Sequence, residues 1–157
     1  MLTTPIIACA VLYLLGLVLA AGWDLLTRTI PNILSAAIAA AAAGMLMVAA
    51  PDEILSNAVV SLAVLAGGAL LFFLRMWGAG DAKLLASSAM LLGAKGLPFL
   101  ILATALIGGV LAAFWLANRN LPWGNKFSPQ IPYGVAIAAG AIFTFARAGL
   151  LAPFYGS

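Results

Sequence analysis

Six apolar runs, separated by short polar or Pro/Gly breaks, leave this chain almost no stretch with which to cover a water-facing surface. They span roughly residues 5–23, 33–50, 54–74, 82–94, 97–117 and 132–146. At ~1.5 Å of rise per residue, a helical run of about 19 residues reaches ~28 Å, close to the thickness of a hydrocarbon core. Composition agrees: 66% of the 157 residues are hydrophobic and only 7% are charged, against about 25% charged in an ordinary soluble domain. The bilayer is the expected solvent, and an open chain can satisfy its backbone there only as helix. The expected fold is therefore all-α: a polytopic integral membrane protein of about six transmembrane helices, forming one domain over residues 1–157. The fourth run is the shortest, and Lys83 and Lys95 must both reach outward if it is to cross. The Ala-rich stretch 36–43 and the pairs Gly67-Gly68 and Gly108-Gly109 suit close helix packing in lipid.

The few charges orient the chain. The start lacks the basic region of a cleaved signal, so the first run is expected to remain as a span. With the N-terminus outside, Arg28, Arg75, Lys83, Arg119 and Lys126 fall inside. Lys95 and Arg147 fall outside, as do Asp52 and Glu53, and this obeys the positive-inside rule. A re-entrant fourth run would exchange Lys95 and Arg147 for Arg119 and Lys126 and give the same tally. In either topology Asp24 and Asp81, two crossings apart, share one face. The expected location is the cytoplasmic membrane, multi-pass, with that face toward the cytoplasm. The four tryptophans, Trp23, Trp77, Trp115 and Trp123, stand near expected helix ends, as an interfacial belt would.

What is missing narrows the chemistry. The chain has no histidine and a single cysteine, Cys9, inside the first run. His-based triads, CxxC zinc sites and haem ligation by His are excluded, and neither metal nor cofactor is expected. The net charge of +3 is scattered, with no Lys/Arg cluster, so no nucleic-acid partner is expected.

Only four acidic residues remain. Asp52 and Glu53 fit a solvated turn. Asp24 and Asp81 each abut an apolar run, where a carboxylate is costly and normally has a partner or a function. Singly, Asp24 can be read as the i,i+4 partner of Arg28 and Asp81 as a helix N-cap. Neither reading accounts for Gly78-Ala79-Gly80 ahead of Asp81. Two alternate glycines at a helix mouth let a backbone approach closely, and the expectation is that this room serves a substrate backbone. Two carboxylates in one site can share a proton, one activating water and the other protonating a scissile carbonyl. Asp24 ends one helix and Asp81 begins another, so the helix dipoles make Asp81 the expected base and Asp24 the expected acid.

Three stretches carry a family resemblance. Gly78-Ala79-Gly80-Asp81 with Lys83 resembles the GxGDxK motif of type IV prepilin peptidases. Asp24 followed by Arg28 and Ile30-Pro31-Asn32 resembles that family's first-aspartate segment. Ile131-Pro132-Tyr133-Gly134-Val135-Ala136-Ile137-Ala138-Ala139-Gly140 resembles its PYGxAIAxG stretch. The resemblance implies a GxGD membrane aspartic endopeptidase with Asp24 and Asp81 catalytic. Its substrate would be a prepilin or pseudopilin precursor, cut at its leader on the cytoplasmic face. The chain lacks the cysteine-bearing methyltransferase region of larger members, which points to the short form linked to Flp/Tad pilus assembly. Arg28 and Lys83 are candidates for binding an acidic substrate group or tuning the dyad, and Tyr133 and Gly134 for shaping the cleft. The alternatives are an archaeal-type preflagellin peptidase, which shares the motif, and a non-enzymatic small transporter or assembly subunit. A proton relay is disfavoured because both carboxylates share a face.

Overall fold

A computed structural model describes residues 4–118 and 132–147. Five helices follow one another: α1 Thr4–Thr27, α2 Asn32–Ala49, α3 Ile54–Phe73, α4 Ala79–Asn118 and α5 Tyr133–Arg147. A short 3-10 turn, Pro51–Glu53, joins α2 to α3, and no strand occurs among the described residues. The spans of α1, α2, α3 and α4 are long and apolar enough to cross a membrane; α5 is apolar but shorter. The exterior agrees, since Leu12, Leu26, Ile33, Phe73 and Phe114 lie exposed while Ser87, Ser88 and Thr144 are buried. Arg119, Trp123 and Lys126 lie outside the described residues.

All six runs are helical: α4 holds the fourth and fifth as two arms that meet at Gly93. Its φ of 59° and ψ of −168° form a combination open essentially to glycine alone, and the Asn57 side chain fills the space where a Cβ would stand. The break reverses the chain. Along the first arm, Ala82 packs on Gly68, Ser61 Oγ donates to the Ala86 carbonyl at 2.8 Å, and Lys95 just past the break reaches Glu53. Along the second arm, Phe99 stacks under Arg147, Thr104 abuts Gly140 and Gly108 faces Tyr133. The first arm thus climbs from the Asp81 end of the bundle to the Glu53 end, and the second arm returns. A re-entrant fourth segment is excluded. Pro98 lies five residues past the break, early in the second arm.

The first arm of α4 is the central post of the bundle. Ala82, Leu84 to Ala89, Leu91 and Leu92 are buried, as expected of a helix apolar on all sides and surrounded by protein. Its shortness is tolerable because helices, not lipid, surround it, and its lysines emerge at its two ends. The Ser87 and Ser88 hydroxyls both donate to the Leu84 carbonyl at 2.9 Å. Around this post, Tyr13 and Leu17 of α1, Ile38 of α2, Leu100 of the returning arm, and Ile137 and Phe145 of α5 are fully buried. Of the two glycine pairs only one member each packs: Gly68 lies against Ala82 and Gly108 against Tyr133, whereas Gly67 and Gly109 face open space.

Two helices end on arginine in the left-handed region. Arg28 (φ 56°) closes α1 and Arg75 (φ 57°) closes α3. The Arg28 N–H donates to the Asp24 carbonyl at 3.0 Å; Arg75 donates to Phe72 and Met76 to Leu71, each at 2.9 Å. These are the αL and Schellman patterns, usually completed by glycine. A side chain there costs roughly 1–2 kcal/mol.

Candidate active site

Asp24 and Asp81 meet at one end of the bundle, where both line a cavity of about 540 Å³. Asp24 lies in the last turn of α1 and is only 6% exposed, so the helix runs beyond it rather than ending on it. Asp81 is half-buried in the first turn of α4, and the two carboxylates are near enough for their charges to interact. Arg28, Thr29, Ile30, Gly78, Ala79, Gly80, Lys83 and Tyr133 complete the lining.

The turn between α1 and α2 explains how the pair is assembled. The Thr27 hydroxyl donates to the Trp23 carbonyl at 2.9 Å and lies 3.0 Å from that of Thr29, folding the chain back as α1 ends. This sets the Ile30 backbone against the mouth of α4. A Cβ on Gly80 would lie 3.2 Å from Ile30 Cβ and 3.3 Å from its N, and one on Gly78 would lie 2.8 Å from Asp81 Oδ2. Both glycines line the cavity, and each also makes room within the protein: Gly78 for the Asp81 carboxylate and Gly80 for Ile30. Gly80 thereby brings the Asp24 segment and the Asp81 segment together.

Gly134 does the same from the other side. Its N–H donates to Asp24 Oδ2 at 2.9 Å, and a Cβ there would stand 2.8 Å from both Cγ and Oδ2 of Asp24. Only glycine lets the N-terminus of α5 come so close. The positive end of that helix dipole, with a free N–H, favours negative charge on Asp24. The dipole comparison made from sequence, which set the C-terminal end of α1 at Asp24 against the N-terminal end of α4 at Asp81, did not include this third helix end. Among the described residues, the Asp81 carboxylate accepts no comparable backbone hydrogen bond.

The basic residues have different fates. Lys83 Nζ donates to Asn32 Oδ1 at 2.8 Å, which pins it at the rim of the cavity. Arg28 lines the cavity with its Nη1 buried and without a hydrogen-bond partner among the described residues. Tyr133 is 43% exposed at the rim, and Gly134 sits behind Asp24 rather than in the lining. Among the described residues there is no group of three or more His, Cys, Asp or Glu side chains suited to a metal. The contributions of Ile30 and Asn32 were not assigned from sequence. Both stand in the Ile-Pro-Asn stretch, but nothing in its spacing links residue 30 to residue 80, or 32 to 83.

A helical bundle with an apolar exterior, whose two interior-edge carboxylates converge in one cavity, defines a polytopic membrane protein with a paired-carboxylate cavity at one end. The type IV leader peptidase family model matches residues 11–113, a stretch that holds both aspartates. The chain belongs to that family, and it is a family of peptidases. Comparison with curated proteins and with solved structures gives no significant match.

Proposed function

We propose that this protein is an aspartic-type endopeptidase that removes the leader from prepilin-like precursors of the Flp/Tad type, at the cytoplasmic face of the membrane. The observation that carries the reading is the convergence of Asp24 and Asp81 on one cavity, in a member of the leader peptidase family. Arg28, Lys83, Tyr133 and the glycines at 78, 80 and 134 surround or support the pair.

In the mechanism, Asp24 carries the negative charge, held by the Gly134 N–H and the start of α5, and takes a proton from the attacking water. Asp81 holds the pair's proton and gives it to the scissile carbonyl oxygen as the tetrahedral centre forms. Collapse of that centre breaks the C–N bond as the leaving amine takes the proton that Asp24 received from water, and Asp81 regains its proton from the hydroxyl that becomes the new carbonyl. The division of roles belongs to one microstate of a coupled pair. Infrared difference spectra test it: the protonated carboxyl band should vanish in Asp81→Asn and persist in Asp24→Asn, and the reverse would exchange the two roles.

Co-expression with a candidate prepilin tests the activity through the mobility shift of leader removal. Labelling of single cysteines placed at Thr29 and Asp52, by a reagent that does not cross the membrane, tests the orientation. Labelling at residue 29 in intact cells would place the site on the wrong face.

A further inference from the structure

α2 and α3 are neighbours in sequence, joined by only Pro51–Glu53, yet the two helices scarcely touch. α3 packs on the first arm of α4 at Gly68–Ala82 and Ser61–Ala86, and α2 meets the same arm where Lys83 donates to Asn32, which leaves a groove with α2 and α3 as walls and α4 as floor. A cavity of about 300 Å³ lies in it. Ser35, Ala36 and Ala39 form one wall, Ser61 stands on the other, and Ala86 and Lys83 lie on the floor. Lys83 also lines the cavity that holds Asp24 and Asp81, so the groove and the carboxylate site share a lining residue.

The lining chemistry is that of a helix-docking surface inside a bilayer. Apolar helices gain no hydrophobic stabilisation from meeting in lipid, so they associate where small side chains allow close backbone approach and where hydroxyls find partners. The Ala-rich stretch of α2 only partly serves the core: Ala41 and Ala42 are buried, whereas Ala36 is exposed on the groove. A second feature points to a missing partner. Ser35 is only 6% exposed, lines the groove, and has a hydroxyl with no hydrogen-bond partner among the described residues. Ser61, opposite, already donates to the Ala86 carbonyl.

On the reading of this protein as a leader peptidase, we propose that the groove between α2 and α3 receives an apolar membrane-inserted helix of the precursor. That helix presents a small-residue face to Ala36 and Ala39. The end of it that passes Lys83 delivers the peptide bond to the dyad. The groove thus selects precursors by a helix that is not itself cut, which separates recognition from the carboxylate chemistry.

Disulfide cross-linking tests this in a Cys9→Ser, Asp81→Asn background, which holds the precursor uncut. Ala36→Cys and Ser61→Cys should each cross-link to single cysteines stepped along the precursor's apolar segment, with yields repeating at helical spacing. Leu106→Cys, on the outer face of α4, should not. Absence of cross-links from residues 36 and 61, or equal yields from residue 106, would overturn the proposal. Kinetics in the active protein give a second readout. Filling the groove with Ala39→Leu should lower kcat/KM for the full precursor about tenfold more than for a peptide ending before the apolar segment. An equal effect on both substrates would also overturn it. Failure of the leader peptidase reading itself is distinguishable, because the wild-type protein would then cut neither substrate.

Discussion

Replacing Gly134 by alanine puts the assembly of the dyad to a quantitative test. The new Cβ would sit 2.8 Å from Cγ and Oδ2 of Asp24, and ordinary van der Waals contact begins at 3.4 Å. Either the carboxylate or the start of α5 has to withdraw by most of that difference. Withdrawal lengthens the 2.9 Å bond from the Gly134 N–H, and a hydrogen bond to a charged group contributes about 1.5–3 kcal/mol. A reacting group displaced by a fraction of an ångström up to ~1 Å loses as much as ~100-fold in rate. Gly134→Ala should therefore lower kcat by about 10- to 100-fold with KM little changed, as expected when a transition-state interaction is lost. The assay is cleavage of a purified prepilin in liposomes, with helix content and elution in detergent confirming that the variant is folded. Gly109→Ala, where nothing lies within 4 Å of the added carbon, is the matched control and should behave as wild type. Activity of Gly134→Ala within about twofold of wild type would refute the reasoning, because it would mean that Asp24 is not held by α5 during the reaction.

Other expectations follow from the same geometry. Gly93→Ala must place a side chain at φ 59° and ψ −168° and against Asn57; it should cost about 3 kcal/mol, read as a lower melting temperature in detergent. Adding Asn57→Ala should restore only the steric part of that loss. Arg28→Gly removes a left-handed arginine and should raise stability by roughly 0.5–1 kcal/mol. It should nonetheless slow processing if the guanidinium, whose buried Nη1 has no hydrogen-bond partner among the described residues, binds substrate, whereas stabilisation with full activity would reduce Arg28 to a helix terminus. Breaking the Lys83–Asn32 hydrogen bond with Asn32→Ala or Lys83→Met should cost about 1 kcal/mol singly, and the double variant should cost less than the sum.

The sequence announces most of this fold because bilayer physics leaves few alternatives. An apolar run of the right length must be a helix, and the structure keeps all six runs close to their expected bounds. The reversal between the fourth and fifth runs at Gly93 was not readable, since Gly93 stands in an apolar stretch where glycine equally suits helix packing. Asn57, which makes the turn fit, lies far away on α3. The positive-inside count could not decide whether the fourth segment crosses, because both topologies give equal tallies. Only the contacts of Lys95 with Glu53 and of Gly108 with Tyr133 decide it. At the site, the residue types were legible and their purposes were not. Gly78 and Gly80 look like room for a substrate, and the sequence does not show that Gly80 also receives Ile30 and Gly78 the Asp81 carboxylate. Asp24 looks like a carboxylate at an unfavourable helix end until the start of α5, more than a hundred residues later, is found donating to it.

The central claim is that Asp24 and Asp81 together hydrolyse a leader peptide bond. The most direct measurement is the intact mass of the products formed when purified protein in lipid vesicles meets a prepilin, for the wild type and for Asp24→Asn and Asp81→Asn. Asparagine keeps the shape of each side chain and removes its ability to exchange a proton. The account predicts a single cut by the wild type and a loss of at least ~1,000-fold in either variant. Cleavage at the same bond by either variant within about tenfold of the wild-type rate would contradict it.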